Sequence, residues 1–367
     1  MENNLKHNLI AFLNEHGLDA LKERDIRVAT DDRFPGLYNL KYGIFADKTD
    51  PITCACRGAV VQKDEDGFKL VAYAFDRFFN LGEFGAADID WETATVYEKY
   101  DGSLIKLFWS GTQWVVSTSG SVGGAGDVEG YDITFEELFW DTWRYMRYRI
   151  FDLEPHLCYV FELCTPKNHI VVNYEEPMLR LLAVRDREND LAEVDLDVFR
   201  SKLWVAESFQ LGNCSGSAPF NGVRVEKEAN TRGANHEGFI VCDANGNRIK
   251  VKSSLYVQLH RLKGNGSPDF SELYLNGDLE EFLLYFPQYA AEFETHRTSL
   301  ETWAILVDWV CTEFAELPQK EFAIKVLKVA PTVQGAAFGI RSGKFANFDE
   351  FVARLTPKQL DRLLGQG

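Results

Sequence analysis

The segment Glu98-Lys99-Tyr100-Asp101-Gly102-Ser103 sets a lysine two residues ahead of an aspartate and three ahead of a glycine. Residues i and i+2 of an extended backbone share a face, which predicts Lys99 and Asp101 pointing into one pocket. Gly102 allows the backbone to approach a ligand closely. A lysine amine placed in this way can attack an α-phosphate and carry the nucleotide as a phosphoramidate. The amine must first lose its proton, although a lysine ordinarily titrates near ~10.4. Neighbouring cations, a hydrated metal and partial desolvation each push that value down. Alone, the motif has little weight, because Asp-Gly is also an ordinary turn.

Three segments further along the chain add that weight. Phe161-Glu162-Leu163, Glu237-Gly238-Phe239-Ile240 and Ile249-Lys250-Val251-Lys252 each put charged side chains into an otherwise apolar strand context. Lys250 and Lys252 alternate with apolar residues, so both ammonium groups share one strand face. Such a pair suits a solvated edge strand or a phosphate clamp.

The surrounding texture predicts an α+β domain followed by an all-α one. Residues 5–24 have roughly helical apolar spacing, broken at Gly17. Residues 36–122 are short segments rich in Val, Ile, Phe, Tyr and Trp, with turn signals at Asp66-Gly67, Asp101-Gly102 and Ser110-Gly111. A helix is expected over 134–150, capped by Thr134 with Glu137. Further strands are expected at Cys158–Leu163, Ile170–Asn173 and Leu179–Val184. A hairpin is expected from Phe239–Cys242 and Arg248–Lys252. After Lys263-Gly264-Asn265-Gly266-Ser267-Pro268 the pattern is helical, giving domains of 1–262 and 263–367. Cys54 and Cys56 are read as strand residues with no second Cys/His pair at zinc spacing.

The chain has 367 residues, a net charge of −17 and seven cysteines, an odd number. Scattered thiols suit a reducing cytoplasm, and the expectation is a cytoplasmic monomer with no signal peptide and no membrane span. The acidic total does not exclude a basic cleft, because the local field decides binding. Residues 264–319 hold one basic residue against eleven acidic ones, whereas 320–367 hold eight basic against four acidic. The second run offers Lys325, Lys328, Arg341, Lys344, Arg354 and Lys358 as solvated faces or as contacts to RNA phosphates.

Taken together, Cys56-Arg57-Gly58, Arg77-Phe78-Phe79-Asn80-Leu81, EKYDGSL at 98–104, FELCTPKNHIVVNY at 161–174, HEGFIV at 236–241 and IKVKSSLYVQLH at 249–260 resemble the covalent nucleotidyltransferases. This superfamily comprises DNA ligases, RNA ligases and capping enzymes, and the order and spacing here resemble the phage RNA ligase 1 family most specifically. The resemblance implies an N-terminal adenylyltransferase domain on antiparallel sheets and an all-helical RNA-specificity module. It implies ATP as co-substrate, Mg2+ (or Mn2+), a lysyl-AMP intermediate, and RNA with 5′-phosphate and 3′-hydroxyl ends. A nicked tRNA would be one such substrate, with an end-healing kinase/phosphatase as partner.

By the same resemblance Lys99 is the nucleophile, and Lys250 and Lys252 act on the α-phosphate. Glu162 and Glu237 hold ribose and metal-bound waters, with Asp101 beside the metal. Arg57, Arg77 and Tyr42 face phosphates. Phe79 stacks on adenine or packs beside the cation, Glu98 could accept from the adenine amino group, and Gly102 lies against the nucleotide. Two departures stand out: Arg77 replaces a usual lysine, and Ser119 stands where a lysine usually precedes Gly120, with Arg144 or Arg147 as substitutes. His169, His236 and His260 are read as structural. A DNA ligase and a GTP-using capping enzyme are the near alternatives, both normally carrying a β-rich OB module. An inactive nucleotide- or RNA-binding protein is the alternative of another class.

Overall fold

A computed structural model describes residues 5–43, 45–47, 49–208, 221–263, 268–277 and 279–365. The chain divides into two compact units, Met1–Val257 and Gln258–Gly367. The expected boundary run, Lys263 to Pro268, lies partly outside the described residues.

The first unit opens with helix α1 (Leu5–His16), which ends where Gly17 takes a positive φ of 74°. Four antiparallel strands come next: β1 (Ile26–Ala29), β2 (Leu37–Tyr42), β3 (Arg57–Asp64) and β4 (Gly67–Ala72), paired in that order. Between β2 and β3 lies the short helix α2 (Pro51–Ala55), started by Pro51 and capped by Asp50. Cys54 is therefore helical and Cys56 is the helix cap, not strand residues as the sequence texture implied. The remaining strands are β5 (Phe79–Asn80), β6 (Thr95–Glu98), β7 (Ser103–Trp109), β8 (Trp114–Ser117), β9 (Leu157–Cys164), β10 (Met178–Asp186), β11 (Ala192–Glu193), β12 (Gly238–Cys242) and β13 (Arg248–Lys252). They form a five-stranded sheet, β11-β10-β9-β7-β8, and a four-stranded sheet, β5-β13-β12-β6. All pairings are antiparallel except β13 with β5.

Helix α3 (Phe135–Tyr145) covers the five-stranded sheet, and its Thr134–Glu137 capping box forms as expected. Its apolar face (Leu138, Phe139, Trp143) packs with Ile105, Phe161 and Leu181 in one continuous core. A second core joins α1 to the first sheet through Leu9, Leu13, Val60 and Val71. A third backs β12 and β13 with Val225 and Ala229 of α4 (Gly222–Thr231). The expected strand at Ile170–Asn173 does not form; this stretch is a loop.

The division between units falls inside α5 (Ser254–Lys263). The second unit is helical in its described residues: α6 (Phe270–Asn276), α7 (Leu279–Tyr285), α8 (Ala290–Glu313), α9 (Gln319–Val329), α10 (Gln334–Arg341), α11 (Phe348–Val352) and α12 (Pro357–Leu364). Of the tail cations offered for RNA, Arg341 is committed to the fold. It donates to the Phe314 carbonyl at 3.0 Å and lies 4.1 Å over the Phe322 ring. Arg354 pairs with Glu350 at 2.9 Å. No helix among the described residues is long and apolar enough to cross a membrane.

Candidate active site

Strand alternation builds the floor of a cavity of about 730 Å³ in the first unit. Along β13, Ile249 and Val251 are buried, which turns Arg248, Lys250 and Lys252 to the opposite face. Antiparallel pairing sets Gly238 opposite Lys252 and Phe239 opposite Glu98, so the Glu237 and Lys99 ends of β12 and β6 meet. The Lys99 amide donates to the Gly238 carbonyl at 3.0 Å, and the Lys99 ammonium donates to Glu237 Oε2 at 2.6 Å. Lys252 takes the other oxygen of the same carboxylate at 3.0 Å. Glu237 is almost fully buried. Burial works to raise its pKa, yet Lys99 and Lys252 hold it below the usual carboxylate value.

Lys99 does not have the depressed pKa that nucleophilicity would ask for in isolation. Burial pulls it down, but Glu237, Glu162 and Asp101 outweigh that and raise it above the ordinary value. Beside it, Lys250 is depressed, lowered to about 7 by burial and by Arg57, Lys99 and Lys252. Glu162, the one partly exposed position in the run 157–164 of β9, lines the cavity. Its carboxyl is pushed up to about 8 by burial, with Glu237 and Asp101 adding to the shift against the pull of Lys99.

Asp101 was expected beside a metal, but both of its oxygens are occupied. Oδ2 accepts from the Val171 and Val172 amides at 2.8 Å each, and Oδ1 from the Tyr256 hydroxyl at 2.7 Å. These bonds also explain why 170–173 is no strand: its amides serve a carboxylate in place of a neighbouring strand. Asp101 does not line the cavity, so it positions the segment after Lys99. Gly102 does line it, but a Cβ there would lie 2.4 Å from the Leu163 carbonyl oxygen. The absent side chain is thus required by the packing of β7 on β9. The Glu98 carboxylate is likewise committed, to His236 Nδ1 at 2.6 Å and Arg232 at 3.3 Å, though the residue borders the cavity.

The remaining cations differ in kind. Tyr42, Arg57 and Lys250 line the cavity. The Arg77 guanidinium lies 4.7 Å over the Phe79 ring and 5.8 Å over that of Tyr42. Phe79 is outside the cavity lining and packs beneath Arg77. Among the described residues, Arg57, Arg77 and Lys250 have no carboxylate within 4.0 Å, whereas Lys99 and Lys252 share one. Glu83 acts on Arg77 and Lys250 only through space, and three half-buried cations around one such carboxylate suit an anion.

Neither Arg144 nor Arg147 reaches the wall at Ser119; Arg144 is exposed and paired with Asp141. Sequence reasoning missed what does shape that wall. Lys106, fully buried on β7, donates to the Thr118 carbonyl at 2.8 Å, and burial lowers its pKa to about 8. Asn39 donates to the Thr118 and Ser121 carbonyls at 3.1 and 3.2 Å. A lysine in the apolar run Leu104-Ile105-Lys106-Leu107-Phe108 was the available signal.

The carboxylate inventory bears on a divalent ion. Of the carboxylates that line the cavity, Glu98 is held by His236 and Arg232 and Glu193 by Arg185 and Arg248, which among the described residues leaves Glu162 to face one. A single carboxylate with phosphate oxygens and water suits magnesium, which keeps several waters and takes one or two protein carboxylates. Burial, with Glu237 and Asp101 adding to it, drives up the Glu162 pKa, and a bound cation would relieve both.

The sequence signature of the RNA ligase family matches residues 55–256, more than half of the chain and most of the first unit. The chain belongs to that family, of the phage RNA ligase 1 kind. It is 27% identical over 309 residues to an RNA ligase of Rhodothermus phage RM378, covering 68% of this chain and 69% of that protein. It is 29% identical over 264 residues to a protein of Autographa californica nuclear polyhedrosis virus assigned as a bifunctional polynucleotide kinase/RNA ligase. That match covers 66% of this chain but only 36% of the viral protein. Among solved structures, an archaeal ATP-dependent RNA ligase aligns over 75% of this chain and 68% of its own, at 13% identity and a TM-score of 0.46.

Proposed function

We propose that this chain is an ATP-dependent ligase that joins 5′-phosphate and 3′-hydroxyl RNA ends through a lysyl-AMP intermediate. The observation that supports it most is the meeting of Lys99 with Glu237 and Lys252 beside a cavity that Arg57 and Lys250 also line. A pure binding protein has no need of a lysine so tethered at the wall of the cavity.

Lys99 attacks as the free amine, and Glu237 Oε2, at 2.6 Å, is the acceptor within reach of the proton it sheds. The Lys99 nitrogen bonds to the α-phosphorus of ATP while the bond to the β-phosphate oxygen breaks, and pyrophosphate leaves with the electron pair. An oxygen of the RNA 5′-phosphate then bonds to the same phosphorus and the P–N bond breaks, the nitrogen taking a proton back from Glu237 to return as the amine. Finally the 3′-hydroxyl oxygen bonds to the RNA 5′-phosphorus, expelling AMP and a proton. Lys250, lowered to about 7, and Arg57 hold the phosphoryl oxygens as charge gathers there. Magnesium or manganese would be held through Glu162 and water, and would supply charge neutralisation at the phosphates.

The biological setting belongs to the same reading: a cytoplasmic monomer repairing broken RNA, including nicked tRNA, after a kinase/phosphatase has prepared the ends. Residues 263–367 would be the RNA-specificity module. The name of the baculovirus relative, which couples a kinase to a ligase, supports the end-healing partner.

The test is incubation of nucleotide-free protein with labelled ATP or GTP and magnesium, then a search for an acid-labile, base-stable adduct. ATP should label the parent and not Lys99→Ala. No adduct with either nucleotide defeats the proposal, and labelling by GTP alone favours capping chemistry. Circularisation of 5′-phosphorylated single-stranded RNA should exceed that of the matching DNA; equal DNA joining contradicts the RNA assignment.

A further inference from the structure

We infer that Lys41, which lies outside every motif quoted above, is a phosphate-binding residue of this cavity, working with Arg57; the inference rests on the ligase reading. It begins with the pairing of β2 and β3. Leu40 lies opposite Ala59, but the next pair is Lys41 with Arg57, so the register slips by one residue at Gly58. Gly58 adopts a φ of +79°, and a Cβ on it would lie 2.8 Å from the Ser119 Cα. The slip is therefore a β-bulge that only glycine fits against the 117–121 wall.

Its effect is to set Lys41 and Arg57 directly opposite each other, where cross-strand side chains emerge on one face. Both line the cavity. Neither has a carboxylate within 4.0 Å among the described residues, and no hydrogen bond ties either side chain to those residues. Like charges placed directly opposite on adjacent strands oppose folding unless something neutralises them. Lys41 Nζ hangs over the turn after Ser119, 3.7 Å from where a Gly120 Cβ would sit. Gly120 thus leaves room for the ammonium beside a wall that itself carries no cation from Thr118 to Ser121.

The ligand chemistry this pair selects is a phosphate monoester or polyphosphate end. Two sources supply it: the β- and γ-phosphates of the nucleotide, or the 5′-phosphate of RNA. Lys41→Met and Lys41→Arg, in the full chain freed of bound AMP, separate them. The first arm titrates inorganic tripolyphosphate by calorimetry. The second measures adduct formation against ATP concentration. The third tracks AMP transfer from preformed enzyme–adenylate to 5′-phosphorylated RNA, and the fourth the sealing of RNA that already carries AMP.

If the nucleotide is the source, Lys41→Met weakens tripolyphosphate binding and raises KM for ATP roughly tenfold, with a smaller change in kcat. If the RNA end is the source, the tenfold loss falls on the transfer step, in KM for RNA. Lys41→Arg recovers most of either loss. Parental behaviour of Lys41→Met in the first three arms overturns the inference. So does a loss spread equally over all four arms, which marks a merely structural role. A parent that forms no adduct counts against the ligase reading alone, because the tripolyphosphate arm still decides on Lys41.

Discussion

Lys99 and Glu237 face each other at 2.6 Å, one residue beyond a second contact of the same length between Glu98 and His236. Two adjacent bonds thus join the end of β6 to the start of β12. Glu237→Gln keeps the shape but removes the charge that orients both lysines and accepts the proton. Adduct formation in single turnover should fall by about 10²-fold or more, the scale seen when one preorganised catalytic group is lost. Retention of parental rate would show that the carboxylate only packs.

Asp101 is predicted to act through structure. Asp101→Ala leaves the buried Val171 and Val172 amides without their carboxylate acceptor and removes one partner of the Tyr256 hydroxyl, at a cost of about 3 kcal/mol. Asp101→Asn keeps one acceptor oxygen and should recover part of that. Thermal unfolding measures both. If Asp101→Ala melts like the parent while metal binding is lost, the assignment is reversed.

The Glu162 carboxyl is pushed up to about 8 from an ordinary 4.5 by burial, with Glu237 and Asp101 contributing. Between those values the native protein holds a proton that the unfolded chain releases. Stability of the nucleotide-free and metal-free protein should therefore decline as pH rises through that window and level off above it. Glu162→Gln should decline less. Denaturant midpoints at pH values of about 5.5, 7 and 9, which span the window, decide the matter. Parallel profiles for the two proteins would refute it.

Gly58→Ala should disturb the site from outside it. The added methyl strikes the Ser119 backbone and the residue must keep a positive φ. Destabilisation of about 2 kcal/mol is expected, together with weaker ATP binding as the 117–121 wall shifts away from Arg57. Normal ATP affinity in a folded variant would separate the bulge from the site.

Much of this was legible because strand periodicity is short-range. The alternation Ile249-Lys250-Val251-Lys252 gave the face of β13, and Thr134 with Glu137 gave the start of α3. What could not be read was partnership. Asp101 obeys the same i, i+2 rule as Lys99, yet its carboxylate is claimed by amides 70 and 71 residues on, and no local pattern encodes that. Ile170–Asn173 failed as a strand for the same reason. Lys41 was invisible because a bulge at Gly58, on the neighbouring strand, is what brings Arg57 opposite it. The lysine pKa order was also hidden, since it depends on which ammonium the buried Glu237 carboxylate reaches.

That carboxylate has a consequence for how the charged and uncharged enzyme would differ. Once Lys99 carries a nucleotide its nitrogen is a neutral phosphoramidate, and Glu237 is left with Lys252 as its ammonium partner. The seam between β6 and β12 then rests on the Glu98–His236 contact and the backbone ladder. Amide exchange across Lys99 to Val241 would thus quicken on adenylylation and slow again when the AMP departs, so the seam itself would report which chemical state the enzyme is in.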